Sequence, residues 1–144
     1  YQVLQNNEVL KRELDCFYQR DDTFSLGVCN GCQLMAKLAW VPNLRLVDNI
    51  SGRFESRWSK VKIIENDSIF FKGLDDLVFG IYSAHGEGRM VFEEEIADKL
   101  CPLRYVDSDN EITEKYPFNP NGSIDGRTAV VSAELLPVAM PTSP

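Results

Sequence analysis

Histidine is nearly absent: His85 is the only one in 144 residues. No H-x-x-x-H pair can be built, which removes the commonest helical zinc motif. Cysteine is also scarce. Cys16, Cys29, Cys32 and Cys101 are too few and too irregularly spaced for a disulfide framework in a chain that is 44% hydrophobic, so they read as free thiols. Cys29 and Cys32 form a C-x-x-C pair, which raises redox chemistry or half of a zinc site, but the second ligand pair that zinc needs is missing. Positive charge is in deficit as well. Fifteen Lys+Arg against 22 Asp+Glu leave a formal net charge of −7, which repels phosphate backbones and anionic lipid and argues against nucleic acid and membrane as partners. No apolar run approaches the roughly 18 residues of a membrane span, and no basic region followed by an apolar stretch begins at Tyr1. The chain is expected to be soluble and cytoplasmic, with no metal site.

What is present suits one core, and the whole chain, 1–144, reads as a single domain. Apolar residues at helical spacing over 3–18 predict an amphipathic helix covering one face of a sheet. Residues 24–28 form a short apolar run, read as a buried strand, and residues 31–40 are again helical until Pro42 stops them. Further strands are expected at 44–47, 61–64, 77–82, 89–92, 103–106, 128–131 and 136–140, with a short acidic helix at 93–100. The loop at 116–126 is rich in Asn, Pro and Gly. Helix, strand, tight turn, helix is the rhythm of an α/β fold with an open, mostly parallel sheet and flanking helices.

The segment Gly27-Val28-Cys29-Asn30-Gly31-Cys32-Gln33 puts a cysteine between two glycines, at the end of an apolar strand and the start of a helix. That is the pattern of a nucleophile elbow, in which a strained turn lifts the side chain over the sheet edge and glycines leave room for close strand–helix packing. A helix N-terminus favours an anion, and the backbone N–H of Asn30 would face a developing oxyanion. Only Cys29 has this placement. Cys32 falls in the first helical turn, facing elsewhere, and reads as a small buried residue.

The longer string G-V-C-N-G-C-Q-L-M resembles the class I glutamine amidotransferases, and specifically the C-terminal glutaminase part of the phosphoribosylformylglycinamidine synthase family. Three further segments agree in order and spacing: N-I-S-G-R-F-E-S-R-W at 49–58, S-A-H-G-E-G-R at 83–89 and Y-P-F-N-P-N-G-S at 116–123. The resemblance implies a flavodoxin-like α/β fold and a Cys-His-Glu triad. In it Cys29 attacks the side-chain amide of glutamine, a γ-glutamyl thioester forms, and ammonia leaves for an ATP- and Mg²⁺-using synthase domain of the same polypeptide. No cofactor is expected in this chain itself. Gln33 would lie near the bound glutamine, and Gly27, Gly31, His85 and Glu87 would border or shape its pocket.

The chain departs from the family at its end, which reads Met140-Pro141-Thr142-Ser143-Pro144. Thr142 stands where the family histidine belongs and Pro144 where the glutamate belongs, and neither is a base near neutral pH. His85, with Glu87 two residues on, is a substitute base, although the family carries that segment in addition to its triad. The glycine-rich loop that supplies a second oxyanion donor is also missing, so both ends look cut from a longer polypeptide. Two other readings compete: a non-catalytic binding or regulatory relative that has lost its His-Glu pair, and a peptidase-like cysteine enzyme with His85 as base. Elsewhere Trp40 and Trp58 are expected to be packing anchors, and Arg53, Glu55 and Arg57 to form a solvated charge ladder or a contact with the synthase domain.

Overall fold

The computed structural model describes residues 2–131 apart from Pro42 and Asp67. The strand expected at 136–140, Thr142 and Pro144 lie outside the described residues. Three helices, α1 (Gln2–Gln5), α2 (Glu8–Tyr18) and α3 (Asn30–Lys37), precede five strands: β1 (Leu44–Val47), β2 (Glu55–Ile63), β3 (Val78–His85), β4 (Arg89–Phe92) and β5 (Leu103–Val106). Short 3₁₀ turns lie at Asp98–Leu100, between β4 and β5, and at Ile124–Gly126, after β5. The α/β class holds. The pairing differs from expectation, because the ladders β1–β4, β2–β3 and β2–β5 are all antiparallel and no parallel pair occurs among the described residues.

The single helix expected over 3–18 is broken at Asn6 and Asn7. The Asn7 side chain accepts the N–H of Leu10 at 3.0 Å, so it caps α2 rather than continuing α1. Helix α2 has no buried residue, and its apolar side chains Val9, Leu10 and Phe17 are exposed rather than laid on a sheet. Residues 24–28 form no ladder among the described residues, and their apolar side chains Phe24, Leu26 and Val28 are exposed rather than buried in a strand. Helix α3 ends earlier than expected. Ala39 takes φ 58°, a left-handed conformation that closes a helix. The acidic helix at 93–100 shrinks to the turn at its end. Asn43 draws the start of the segment away, its carbonyl accepting the N–H of Glu93 and its side chain bonding Glu94. Residues 128–131 run beside β5 without forming a ladder, held by the Thr128 N–H on the Leu103 carbonyl at 3.0 Å.

Strand β2 explains where the site lies. Its odd-numbered residues share one face. At one end of that face Val61 and Ile63 pack with Leu103 and Tyr105 of β5 to form the apolar core, joined by Phe79 and Ile81 of β3. Each such buried side chain stabilises the fold by roughly 1.5–3 kcal/mol. Toward the other end the same face becomes polar. Ser83 bonds Ser59 at 3.2 Å, and Glu55 sits directly across from His85 in the ladder. The even-numbered face is open: Trp58 is 72% exposed, packed edge-on to Tyr82 at 5.6 Å, and is no core anchor. Trp40 is an anchor, stacked on Tyr18 at 4.5 Å, while the Tyr18 hydroxyl donates to its carbonyl at 2.8 Å.

After β3 the chain turns through Gly86-Glu87-Gly88 into β4. These two strands do not pair with each other, since β3 belongs to the three-stranded sheet and β4 pairs with β1. The turn therefore bridges two sheets.

Candidate active site

The extended segment 24–28 ends at Cys29, where the backbone takes φ 55° and ψ −117°. Such a conformation in a non-glycine residue costs about 1–3 kcal/mol and persists only where surrounding structure enforces it. It swings the chain into α3 within one residue. Cys29 is the N-cap residue, its side chain makes no capping bond, and it is exposed. The Cys29 carbonyl accepts the N–H groups of Cys32 at 3.0 Å and Gln33 at 3.3 Å, and the Val28 carbonyl that of Gly31 at 2.9 Å. The N–H of Asn30, first in the helix, has no partner among the described residues. It remains available to an anion.

The two glycines of the elbow differ. A Cβ on Gly27 would lie 2.5 Å from the Met35 sulfur and 2.8 Å from the carbonyl carbon and oxygen of Gly31, so Gly27 is where the extended segment presses onto α3. A Cβ on Gly31 would meet nothing within 4 Å. Steric need explains the first glycine and not the second, contrary to the expectation that both serve close packing.

Cys29 opens onto a cleft of about 430 Å³ whose walls include Asn30, Gln33, Phe54, His85 and Glu87. Gly31 is not among its lining residues. A second, apolar cleft of about 500 Å³ is lined by Gly27, Cys29 and Cys32 together with Phe24, Met35 and Phe70. Cys32 is only partly buried and lines both clefts beside Cys29, rather than facing elsewhere; burial, and then its neighbour Cys29, push its thiol pKa up. Both thiols are free, and among the described residues no group of three or more His, Cys, Asp or Glu could hold a metal ion.

The other walls of the cleft come from the three remaining sequence segments, joined by hydrogen bonds. Gln33 Nε2 donates to Glu87 Oε2 at 3.1 Å, linking α3 to the bridging turn. Asn49 N–H donates to the Gly86 carbonyl at 2.8 Å, and Asn121 Nδ2 to the Gly88 carbonyl at 2.8 Å. Ile50 N–H donates to the Asn121 carbonyl at 3.1 Å, and Met90 N–H to Ser123 Oγ at 3.0 Å. Asn119, Asn121 and Ser123 are buried. These three residues of the Asn-, Pro- and Gly-rich loop form a buried polar knot supporting the turn, while Tyr116 and Phe118 stay exposed.

His85 is not bonded to Cys29. Its Nδ1 pairs with Asn49 Oδ1 at 3.1 Å, and its Nε2 is buried without a partner among the described residues. Burial pushes its pKa below the ordinary value, against the opposing pull of a backbone hydrogen bond and of Glu55. The neutral ring is thus favoured. Glu55 is 2% exposed, which corrects the expected solvated ladder. Burial alone would raise its pKa, but hydrogen bonds from Ser51 and Arg53 and the charges of Arg57 and Arg53 bring it below the ordinary carboxylate range. Arg53 and Arg57 both donate to the Tyr116 hydroxyl, at 2.6 and 2.5 Å, tying the second segment to the fourth. Sequence reasoning missed Asn49, Asn121 and Ser123 as individual residues. Their only signal is that short polar side chains recur beside turn residues in the segments that meet at the cleft.

A strained cysteine capping a helix above a cleft, on an α/β scaffold, defines a domain of the cysteine-elbow class. The model of the CobB/CobQ-like glutamine amidotransferase domain matches residues 1–134, and the chain belongs to that family. Among curated relatives, phosphoribosylformylglycinamidine synthase of Dictyostelium discoideum is 47% identical over 142 residues, covering 89% of this chain and 10% of that protein. The probable chloroplastic/mitochondrial enzyme of Arabidopsis thaliana is 44% identical over 155 residues (96% and 11%), and the Homo sapiens enzyme 41% over 147 residues (85% and 11%). The chain thus spans about a tenth of these relatives' length, and the resemblance read from its four segments is borne out. A solved structure, PurLQS from Thermotoga maritima, superposes with a TM-score of 0.55 at 29% identity, covering 74% of this chain and 44% of that one. No helix among the described residues is long and apolar enough to cross a membrane.

Proposed function

We propose that this chain is the glutaminase part of a phosphoribosylformylglycinamidine synthase, a ligase using glutamine as nitrogen donor, with Cys29 as nucleophile. The observation that carries the proposal is the placement of Cys29: φ 55°, helix N-cap, exposed, at the cleft, beside the open N–H of Asn30. In this reading the Cys29 sulfur, its proton removed by a base, adds to the side-chain carbonyl carbon of glutamine. The negative oxygen that forms is met by the Asn30 N–H. The C–N bond then breaks, the nitrogen takes up a proton and leaves as ammonia, and water cleaves the thioester to glutamate. Gln33 and Glu87, bridged across the cleft, contact the substrate. The ammonia serves the conversion of formylglycinamide ribonucleotide to its amidine in purine synthesis, a step that consumes ATP. In this reading ATP and Mg²⁺ belong to the synthase portion of the parent protein, in the cytoplasm or, as for the Arabidopsis relative, an organelle.

The base is the weak point of this chain. His85 is not bonded to Cys29, its Nδ1 pairing with Asn49 instead, and Thr142 and Pro144 stand at the family's base and orienter positions. We therefore propose that this stretch alone traps glutamine analogues but turns over slowly, since loss of general-base help costs about 10²–10⁴-fold. The same observation favours, as the second reading, a binding module without catalysis.

Trapping the purified chain with a glutamine-analogue electrophile, followed by peptide mapping, tests both. Label confined to Cys29 supports the nucleophile, and equal labelling of Cys16 and Cys101 would sink it. Analogue excluded by excess glutamine with no glutamate released is the expected pattern. Glutamate release at the rate of a version carrying His and Glu at 142 and 144 would show that another residue is the base.

A further inference from the structure

We infer that Asn49 is a positioning residue for the Cys29 cleft, setting the tautomer of His85 and anchoring the bridging turn that carries Glu87 to Gln33. The inference rests on the glutaminase reading for its catalytic meaning, but its geometry is independent of it.

Asn49 is 3% exposed, and its side-chain amide is saturated. Oδ1 accepts from the Gly88 N–H at 3.1 Å and faces His85 Nδ1 at 3.1 Å. Nδ2 donates to the carbonyls of Arg53 at 2.9 Å and His85 at 2.7 Å. The amide cannot be turned over. A flip would set its NH₂ against the N–H of Gly88 and its oxygen against two carbonyl oxygens. With the oxygen fixed as acceptor, His85 Nδ1 must carry the proton, and Nε2 is left with a bare lone pair. That nitrogen is buried and has no partner among the described residues, in a residue that lines the cleft. Glu55, opposite His85 in the ladder, gives its oxygens to Arg53 and Arg57, so it does not compete for the ring.

The ring is confined as well as oriented. A Cβ on Gly88 would fall 2.4 Å from His85 Nδ1 and 2.6 Å from its Cγ, so the imidazole lies directly against the Gly88 backbone. With its own N–H on Gly86, Asn49 touches three of the four residues from 85 to 88. The fourth, Glu87, reaches across to Gln33, four residues after Cys29. Loss of the Asn49 amide therefore frees the ring to exchange tautomers and loosens the Gln33–Glu87 link between the turn and α3. Misplacement of about 1 Å at a reacting centre can cost ~10²-fold in rate.

His85 is the only histidine, so the chain labelled with ¹⁵N-histidine gives one pair of ring nitrogen signals. Wild type is expected to show the Nδ1–H form, and the Nε2–H form would overturn the inference without any variant being made. Asn49→Ala should release the ring to a mixed tautomer. An unchanged tautomer in Asn49→Ala would refute the positioning role. Should Asn49→Ala not fold, the wild-type spectrum decides, since an Nε2–H ring there refutes the inference by itself. In the full-length synthase, Asn49→Ala should lower glutamine-dependent kcat/KM by about 10²-fold while ammonia-dependent synthesis is retained. Equal loss with both nitrogen sources would overturn the assignment to the glutaminase cleft. Wild-type Nδ1–H together with failure of Cys29 to take the glutamine analogue would remove the glutaminase reading and the catalytic meaning of Asn49, leaving only its structural one.

Discussion

Replacing each glycine of the cysteine elbow by alanine should move stability in opposite directions. In Gly27→Ala the new methyl group lands 2.5 Å from the Met35 sulfur and 2.8 Å from the Gly31 carbonyl carbon and oxygen. The methionine can swing away, but the Gly31 backbone cannot move without displacing α3. Overpacking of this kind costs about 1–3 kcal/mol. In Gly31→Ala the methyl group meets nothing within 4 Å, and the residue lies inside α3. Alanine is there favoured over glycine by roughly 0.5–1 kcal/mol, mostly because the unfolded chain has less freedom to lose. The two variants should thus differ by about 1.5–4 kcal/mol. At roughly 2–4 °C per kcal/mol for a chain near this size, Tm falls for the first and rises slightly for the second. Urea unfolding with unchanged m-values is the cleaner assay. Equal destabilisation by both would refute the reasoning, because it would mean that backbone conformation, and not the approach of the 24–28 segment to α3, demands the glycines. Gly27→Ala should also alter the rate at which Cys29 is alkylated, since Cys29 caps the displaced helix.

Two further outcomes follow from buried groups. Ser123→Ala removes an oxygen that accepts the Met90 N–H at 3.0 Å and donates to Asn121 Oδ1 at 2.7 Å, stranding a buried donor at a cost of about 1–3 kcal/mol in urea unfolding; an unmoved midpoint would show that the polar knot does not support β4. Cys101 is buried, and burial pushes its pKa to about 11 despite Arg127 and Arg104, so iodoacetamide should modify it only on unfolding. Its folded pKa lies above the unfolded value of roughly 8.5, so its contribution to stability is complete below that pH and lost as pH rises through about 11. Native-state labelling of Cys101 as fast as of exposed Cys16 would contradict this.

The strands at 44–47, 89–92 and 103–106 were legible in the sequence because compact apolar runs bounded by turn residues leave little choice. The elbow was legible because a cysteine between glycines at a strand-to-helix boundary has a local mechanical reading. Strand direction was not legible. The expected parallel sheet needed residues 24–28 to pair, and a ladder depends on a partner elsewhere in the chain. Glu55 misled for a related reason, since alternation puts Arg53, Glu55 and Arg57 on one face but does not say whether water or Tyr116 lies over it. The asparagines of the site were invisible as individuals because a buried, fully bonded Asn and a solvated loop Asn are the same letter. Trp58 shows the converse error, a large aromatic side chain taken for a packing anchor that lies on the open face of its sheet.

The walls of the cleft meet through bonds that span long stretches of chain: 54 residues between Gln33 and Glu87, 39 between Asn49 and Gly88, 33 between Gly88 and Asn121. Each closes a loop whose entropy must be lost before the bond returns anything, whereas the β2–β3 ladder is nearer to a local event. Assembly accordingly has an order, with the sheet able to form first and the cleft appearing only when four distant segments arrive together. The cavity beside Cys29 is then a sensitive gauge of complete folding: a chain that has its strands but not its bridging turn would pass most tests of secondary structure and still have nowhere to hold a substrate.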